Sequence, residues 1–458
     1  MAGAAALICL TAILMGAKSG GIYAAHEWGT FTSVQGGDGA LLNWRPLESS
    51  RLPKFVYDWN KPGLNRQGTS GSGLTKVVLT TLQRMETPVI YFYSDKEQTV
   101  DVSVDFPKGL ITEWYPQAEQ IGPSTVPAPA AVVKLDDYAH QAGVKPSFTF
   151  ASLLRNSSLK ESRARWMGVR ILAAKQDRDL ASLLPTDRSG SHYFAARETD
   201  ANYLQVPSLV ATNPAPEQEK FIFYRGVGSF PTPLRVTMNL SNAVTVANTG
   251  EEPLVHLFVL GLDNGAGRFI EIEQLLPGEQ RTLHMELRDG PTPLSKLSRQ
   301  LGDSVTKSLV KEGLYRREAT AMVNTWKDSW FAEDGMRVLF VLPRAWTDRT
   351  LPMKLDPAPR ELVRVMVGRA EVLAPALEQR LSDELVRASQ GDAHAREQAT
   401  TEFKQLGRFA EPALRLATKN SRTEVSQTAW TIFQAAATPA NGNQPALIGA
   451  RTALSETP

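Results

Sequence analysis

The stretch richest in groups that can bind or react spans residues 25–39, with the sequence AHEWGTFTSVQGGDG. It brings together His26, Glu27 and Trp28, followed by threonine hydroxyls and several glycines. An imidazole can act as an acid, a base or a metal ligand, and a neighbouring carboxylate can orient it. If the bond between Ala25 and His26 stays intact, we expect the segment that begins at His26 to form a loop clamped onto the first sandwich, with its indole buried.

His26 is a candidate metal ligand in one processed form of the chain. If a leader is removed after Ala25, the free amine and the imidazole of His26 can chelate Cu(II), which favours nitrogen ligands in a square plane. His192 or His140 would supply the next nitrogen. Copper, or another divalent metal, is therefore a candidate cofactor. The alternative is a histidine that holds a loop through backbone hydrogen bonds.

A second reactive group occupies residues 191–200, SHYFAARETD. His192 with Glu198 or Asp200 could form an acid–base pair or a carboxylate-oriented imidazole. A brace between Arg197 and a carboxylate, holding a loop in place, explains the same residues. The sequence leaves both interpretations open.

The third group spans residues 84–93, RMETPVIYFY, with Glu86 just ahead of the hydrophobic strand that starts at Pro88. Burial at that position would raise the pKa of Glu86 and suit it to general acid or base chemistry. Tyr91 and Tyr93 project to one face of a strand and could line a sugar- or peptide-binding groove. They could equally be core aromatics. The candidate site residues are: catalytic, Glu86, His192, Glu198 and Asp200; binding, Glu27, Trp28, Tyr91, Tyr93 and Arg197; metal, His26 and His192.

Better-defined catalytic motifs are missing from the sequence. His26-Glu27 is not followed by the second histidine of an H-E-x-x-H zinc protease. The sequence also contains no G-x-S-x-G elbow and no phosphate-binding P-loop. No reaction can be named from motifs alone.

Charge and hydropathy restrict the class of protein. Lys and Arg total 50 against 48 acidic residues, without the clustered basic face of a nucleic-acid binder. Residues 4–16 form an apolar run shorter than the roughly 20 residues that span a bilayer, and its position is typical of a signal peptide. Cys9, the single cysteine, lies inside this run. We predict an exported protein, periplasmic or secreted, without disulfides and without a transmembrane span after signal cleavage.

The order of elements predicts a mainly β fold with α-helices. After a signal peptide at residues 1–25, alternating apolar residues and turn signals predict a β-sandwich over 26–215. Short strands punctuated by NTG and PGE turns resemble an immunoglobulin-like β module over 220–290. Apolar stripes at helical spacing predict a helical hairpin with closing strands over 291–370.

The C-terminal part has a different character. Paired apolar positions repeat over 371–437, and this segment resembles short HEAT-like repeats. Such repeats usually stack to form interaction surfaces, and so few of them should pack on the rest of the chain. Residues 438–458 are predicted to form a disordered tail.

Five longer phrases, distributed over nearly the whole chain, resemble a group of exported bacterial proteins of uncharacterised activity that open with HEWGTFTS. The phrases are HEWGTFTS at 26–33, ETPVIYFY at 86–93, ARETDA at 196–201, FYRGVG at 223–228 and TWKDSWF at 325–331. The resemblance implies export and transfers no catalytic residue. Because of the repeat-like C-terminal end and the immunoglobulin-like module, we expect a binding or envelope-assembly protein with a protein or glycan partner in the cell envelope and no nucleic-acid partner. The alternative is a secreted hydrolase or metal-dependent enzyme with a site near His26 and His192.

Overall fold

A computed structural model describes most of the chain. The described residues are 23–45, 52–58, 79–122, 148–149, 162–173, 178–187, 190–208, 215–285 and 290–437. The predicted tail at 438–458 and residues 1–22 of the predicted signal peptide lie outside this part. His140, one of the candidate copper ligands, lies outside it as well.

The described part of the chain combines many strands with fewer helices, which confirms the predicted mainly β fold with α-helices. The strands are β1 Tyr23–Gly36, β2 Leu41–Leu42, β3 Tyr57–Asp58, β4 Leu79–Thr80, β5 Gln83–Ser94, β6 Gln98–Phe106, β7 Gly109–Tyr115, β8 Gln120–Gly122, β9 Phe148–Thr149, β10 Ser162–Ile171, β11 Leu204–Val206, β12 Glu217–Glu219, β13 Ile222–Gly228, β14 Leu234–Met238, β15 Ala243–Asn248, β16 Leu254–Asp263, β17 Ala266–Leu275, β18 Gln280–His284, β19 Thr292–Pro293, β20 Gly335–Leu342, β21 Met353–Asp356 and β22 Glu361–Leu373. The helices are α1 Arg178–Ser182, α2 Leu294–Lys311, α3 Arg316–Phe331, α4 Arg344–Thr350, α5 Pro375–Ser389, α6 Ala393–Leu406, α7 Ala410–Ala417 and α8 Thr423–Ala437, with 3-10 turns η1 His192–Arg197 and η2 Gly407–Phe409.

One large sheet organises the molecule. Its strand order is β19-β17-β16-β20-β22-β1-β5-β13-β7-β3, with β2 paired to β1. A six-stranded sheet of β12, β11, β10, β6, β21 and β8 and a three-stranded sheet of β14, β15 and β18 complete the main β structure. A continuous hydrophobic core joins one face of the large sheet to both smaller sheets, and it includes Phe31, Trp114, Trp166 and Val246. This arrangement is a sandwich, and the HEWGTFTS strand lies in its larger layer.

The prediction that residues 26–33 form a loop was wrong. They lie within β1, a strand of 14 residues that is buried throughout. β1 pairs antiparallel with β5 and parallel with β22, so both of its edges are hydrogen-bonded. A strand buried on both faces lacks the apolar–polar alternation that identifies a strand from sequence. Trp28 is fully buried, as expected.

The opposite face of the large sheet carries helices. The predicted hairpin is formed by α2 and α3, and the α2 stripe of Leu297, Leu301, Val305 and Leu309 is buried there. This second core also contains Trp28 and Tyr91 from the sheet. We call this side of the sheet the helical face.

Helices α5 to α8 form a third core on the end of the sheet. Leu381, Ala399 and Phe433 pack there with three residues of the sheet body, Val34, Trp44 and Leu373. The segment therefore packs on the rest of the chain as expected. Its resemblance to HEAT-like repeats stays a prediction.

The sheets cross the boundaries predicted between segments. Strands β1, β13 and β22, from three predicted segments, all lie in the large sheet. The strands of the predicted immunoglobulin-like module also divide, because β14, β15 and β18 form the small sheet whereas β16 and β17 extend the large one. Local turn patterns identified these strands but carried no information about their partners. Within the described residues, no helix is long and apolar enough to cross a membrane.

The strand ladders β1–β5, β5–β13 and β13–β7 each contain a bulge, and the bulges lie close to one another across the sheet. The β1–β5 ladder shifts between Trp28 and Thr30, where Thr87 and Pro88 interrupt β5. The ladders of β13 with β5 and with β7 shift just before Gly226. A proline inside a central strand is tolerated at a bulge, and bulges often re-aim side chains next to functional sites.

Gly226 tests how tightly the strands pack at this level. A Cβ at Gly226 would lie 2.2 Å from the carbonyl oxygen of Leu110, whereas a Cβ at Gly122 would meet nothing within 4 Å. We expect Gly226→Ala to lower the free energy of unfolding by roughly 1–3 kcal/mol because backbone must move. The control Gly122→Ala should stay within about 0.5 kcal/mol. Urea denaturation measures both, and equal stability of the two variants would contradict the packing described.

Candidate functional site

His26 and Glu27 point to opposite faces of the large sheet, because successive strand residues alternate. On the helical face, Nδ1 of buried His26 lies 2.8 Å from Oε2 of Glu318 in α3. The other oxygen of Glu318 accepts a hydrogen bond of 2.6 Å from the hydroxyl of Tyr93. The backbone N–H of Tyr315 donates to Glu318 at 2.7 Å and caps α3. This cluster fixes the hairpin to the sheet.

The imidazole of His26 has one nitrogen left over. A carboxylate accepts, so Nδ1 of His26 donates to Glu318 and Nε2 is the second ring nitrogen. Nε2 is buried and has no hydrogen-bond partner among the described residues. Burial and the charge of Glu318 raise the pKa of Tyr93 well above its usual value, so its hydroxyl stays protonated. The arrangement is a carboxylate-oriented imidazole.

Glu27 lies in the sandwich core and is held by two partners. Arg364 of β22 donates to its Oε2 from Nε at 2.6 Å, and the hydroxyl of Tyr224 donates to its Oε1. Arg364 also binds Asp348 at 2.7 Å. Glu27, predicted as a binding residue, therefore neutralises a buried arginine between neighbouring strands.

The fold constrains the predicted copper site. Tyr23, Ala24 and Ala25 are ordered strand residues that pair with β5, and Ala24 and Ala25 pair with β22 as well. Cleavage after Ala25 would remove three paired residues from the large sheet. His192 is exposed on η1. Within the described ranges, no group of three or more His, Cys, Asp or Glu side chains is placed to hold a metal ion.

The 191–200 segment packs on α3 without forming a joint site with His26. Arg197 binds Glu219, with its Nη2 2.6 Å from Oε2, and the hydroxyl of Tyr193 reaches the same carboxylate at 2.9 Å. Arg197 therefore forms the brace that was one of the two interpretations of this segment, and its carboxylate partner, Glu219, lies in β12. Glu198 and Asp200 are exposed, like His192, and Asp200 pairs with Arg317 at 2.5 Å.

Tyr91 and Tyr93 are core residues of the helical face. The hydroxyl of Tyr91 donates to the carbonyl oxygen of Ala196 at 2.7 Å, and its ring lies 6.1 Å from that of Trp28. These aromatics join β5 to η1 and to α3. Both tyrosines are buried, so they are core aromatics and do not line an exposed groove.

Glu86 lies in a different environment from the other candidates. The bulge at Thr87 and Pro88 changes the alternation along β5, so Glu86 and Arg84 face the helices. Thr87 has a φ of 48°, which a β-branched residue rarely adopts. Strained backbone of this kind concentrates at functional sites.

Glu86 and four neighbouring polar side chains form a patch on the helical face. Register places Thr30 opposite Glu86, and Thr32 opposite both Arg84 of β5 and Arg369 of β22. We call Thr30, Thr32, Arg84, Glu86 and Arg369 the polar patch. It lies between the core under the α2–α3 hairpin and the core under α5–α8.

Each member of the polar patch is at most 4% exposed and has a buried polar atom without a hydrogen-bond partner in the part of the chain that the structure describes. These atoms are Thr30 Oγ1, Thr32 Oγ1, Arg84 Nε, Glu86 Oε1 and Arg369 Nη1. Arg84 Nε and Glu86 Oε1 are 3.5 Å apart, beyond a good hydrogen bond. Arg84 and Glu86 form a loose ion pair, and the five atoms on three adjacent strands keep hydrogen-bonding capacity that water or a ligand can fill.

Paired charges surround the polar patch. Arg225 binds Glu113 through two contacts of 2.7 and 2.8 Å. Glu371 accepts from Arg337 at 2.9 Å and from Arg369 at 2.5 Å. The outermost pair joins Glu333, just after α3, to Arg408 of η2 at 3.0 Å. We call these residues and the charged members of the polar patch the arginine network.

The network sets the charge of its carboxylates. Burial would raise the pKa of Glu86, but Arg84 and three further arginines, Arg408, Arg369 and Arg225, lower it below its usual range. The expected raised pKa was therefore wrong, because the sequence did not show which arginines would face Glu86. Burial also opposes ionisation of Glu333, yet Arg408, Arg369 and Arg337 lower its pKa to about 2. Both side chains are anionic at neutral pH.

Arg84 is the least compensated cation of the network. Burial lowers its pKa to about 10, and the nearby charges of Arg225 and Arg408 add to that effect against the attraction of Glu86. Sequence reasoning named only Glu86 of the polar patch. Thr30, Thr32 and Arg84 stand in the two stretches it singled out, whereas Arg369 gave no local signal.

Comparison with known proteins adds little. No protein-family model matches the chain, and no curated protein matches it. Solved structures that match include the Fcho1 Mu homology domain of Danio rerio with bound Eps15 peptide, which is 8% identical and covers 77% of this chain and 97% of that domain. The TM-score is 0.27, too low to support any conclusion about this chain.

The pairing of Tyr23 predicts where any leader is removed. If the chain is exported with cleavage of a leader, we expect the new N-terminus at or before Tyr23, because later cleavage removes paired strand residues. Intact-mass spectrometry of the exported protein measures this position. An N-terminus at His26 would contradict the prediction and restore the amine that the copper hypothesis needs.

Proposed function

We propose that this chain is an exported binding protein whose ligand is a small organic anion held on the polar patch. One observation carries the proposal: on β5, β1 and β22, five buried polar atoms have no hydrogen-bond partner among the described residues. An unpaired buried donor or acceptor costs about 1–3 kcal/mol, and a ligand that pairs several of them recovers that cost on binding.

The sign of the ligand follows from the surrounding charge. The described residues of the arginine network include five arginines, at positions 84, 225, 337, 369 and 408, and four glutamates, at 86, 113, 333 and 371. One positive charge remains uncompensated in a buried setting. An anion that enters the patch neutralises that charge, whereas a cation would add to it.

The polar patch also explains the local backbone. Without the bulge at Thr87, the alternation along β5 would turn Met85 rather than Glu86 toward the helical face. Met85 instead contributes to the sandwich core on the other side. The strained turn therefore presents Arg84 and Glu86 beside the two threonines of β1.

Thr32 provides a test that should leave the fold intact. Thr32→Val removes one unpartnered buried hydroxyl at nearly constant volume, so we expect stability to be unchanged or increased. Thr347→Val is a matched control, because the hydroxyl of Thr347 is also buried and unpartnered but belongs to α4. Thermal unfolding is measured with succinate, citrate, lactate, gluconate and glucuronate.

The expected result is that at least one of these anions raises the Tm of the wild type and of Thr347→Val, since a ligand of the native state stabilises it. The increase should disappear in Thr32→Val. A Tm that responds to none of the anions, or responds equally in both variants, would reject the polar patch as the binding site.

A second candidate function rests on His26. Its oriented ring, with Nε2 free, has the arrangement of a general base held by a positioning carboxylate, Glu318. A hydrolase could use such a base to activate water. Among the described residues, no nucleophile and no oxyanion donor has been placed beside His26. Binding at the polar patch is therefore the better supported function.

The hydrolase alternative is tested with p-nitrophenyl esters and glycosides. It predicts measurable release of p-nitrophenol by the wild type and a loss of at least about 100-fold in His26→Gln, the size typical of a missing general base. Glu318→Gln should shift the pH profile of the reaction. Circular dichroism establishes that both variants are folded. Equal rates for His26→Gln and wild type would eliminate this candidate.

A further inference from the structure

The glycine-rich end of the 25–39 stretch forms a tight turn directly after β1. The N–H of Gly36 donates to the carbonyl oxygen of Ala40 at 3.0 Å, and the side chain of Asp38 accepts from the N–H of Ala40 at 2.9 Å. The N–H of Met238, at the end of β14, donates to the carbonyl oxygen of Gly37 at 2.8 Å. These bonds hold Asp38 in a fixed position beside the small sheet.

The same turn packs closely against the C-terminal helices. A Cβ at Gly37 would lie 2.4 Å from Cγ of Pro375, the first residue of α5, so the position requires glycine. A Cβ at Gly36 would lie 3.6 Å from the side chain of Leu416 in α7. The turn therefore places Asp38 where the β structure meets the C-terminal helices.

A cleft of about 720 Å³, open to solvent, lies at this junction. The turn after β1, the β14–β15 connection and helices α5 and α7 contribute to its lining. Four of its lining residues are apolar, namely Met238, Leu240, Pro375 and Leu416. Leu240 is 64% exposed, more than any other large apolar side chain in the part of the chain that the structure describes. Exposed apolar side chains grouped within a polar rim are typical of a protein interaction site.

The charged side chains of the cleft give it an excess of negative charge. Asp38, Glu378 of α5 and Lys419, just after α7, all line it. Burial raises the pKa of Glu378 above its usual value, and the charge of Asp38 adds to this effect against the attraction of Lys419. Within the described ranges, no ion pair joins Lys419 to either carboxylate. A cation bound between the two carboxylates would relieve their repulsion.

A basic side chain from another protein matches both properties of the cleft. Lysine and arginine combine an apolar stem with a charged head, so the stem can cover Leu240 while the head binds Asp38 and Glu378. The side-chain amide of Asn420, also in the lining, can pair with the backbone of a peptide. Sites for small molecules enclose most of their ligand, so an open cleft favours a segment of a larger partner.

We propose that this cleft docks an extended segment of a partner protein, with one lysine or arginine side chain between Asp38 and Glu378 and apolar neighbours on Leu240. No residue of the polar patch lines the cleft. Docking here is therefore independent of the anion-binding function.

Fluorescence anisotropy with labelled peptides tests the proposal on the full chain at constant ionic strength. The probes are four mixtures of heptapeptides whose central residue is lysine, arginine, glutamine or glutamate. Their other positions are random among alanine, leucine, valine, phenylalanine and serine. We expect the lysine or the arginine mixture to bind at least about tenfold more tightly than the glutamine and glutamate mixtures, because only the basic side chains can pair with the two carboxylates.

Two variants with matched controls locate the binding. Glu378→Gln should reduce the preference for a basic residue by about threefold, the effect of one partly exposed ion pair, whereas Glu397→Gln on α6, outside the cleft, should not. Leu240→Ser should weaken the binding of the preferred mixture by about fivefold, because apolar contact is lost. Leu276→Ser is its control, since Leu276 is 52% exposed and lies outside the cleft.

Several results would overturn the proposal. They are no binding of any mixture, equal binding of the basic and glutamine mixtures, and equal effects of a variant and its control. Nα-acetyl-lysine methylamide that binds as tightly as the mixtures would show a site for a small amine instead. In sedimentation velocity, a wild-type dimer that only Leu240→Ser dissociates would show that a second copy of the chain occupies the cleft. None of these results bears on the polar patch, which Thr32→Val tests separately.

Discussion

Thirteen consecutive residue pairs join β1 to β22 in parallel, from Ala24 with Glu361 to Gly36 with Leu373. Every other feature of the molecule depends on this ladder, because it fixes which side chains of the HEWGTFTS strand face the sandwich and which face the helices. A one-residue slip would exchange the two sets and bury Glu27 under the helices, away from Arg364. A strand far along the chain thus determines the environment of residues 24–36.

Buried charge on the large sheet is balanced in two different ways. In the sandwich core, Arg364 and Glu27 bind each other, Tyr224 and Asp348 add contacts, and only Nη2 of Arg364 lacks a hydrogen-bond partner among the described residues of this group. On the helical face the arginine network pairs its outer members, whereas each member of the polar patch keeps one such atom. Buried polar atoms without a partner cost stability. The patch differs from the Arg364 network in placing five of them on adjacent strands.

The two helical units give the polar patch its boundaries. The α2–α3 hairpin covers the half of β1 that carries His26 and Trp28, and α5–α8 cover the half that carries Val34. Thr30 and Thr32 lie between these cores, where apolar packing is interrupted. The Glu333–Arg408 pair connects the two units across this interruption. The patch is therefore enclosed between two packed bodies.

The sequence by itself determined the mainly β fold and the helical hairpin, because period and composition are local properties. It could not assign β1 as a central strand, since a strand buried on both faces has no alternation. Only the tertiary structure decided that Glu86 is anionic and that Arg369 stands beside Thr32, because both facts depend on register between distant strands and on a bulge at Thr87. Spacing along the chain carries no record of such pairings.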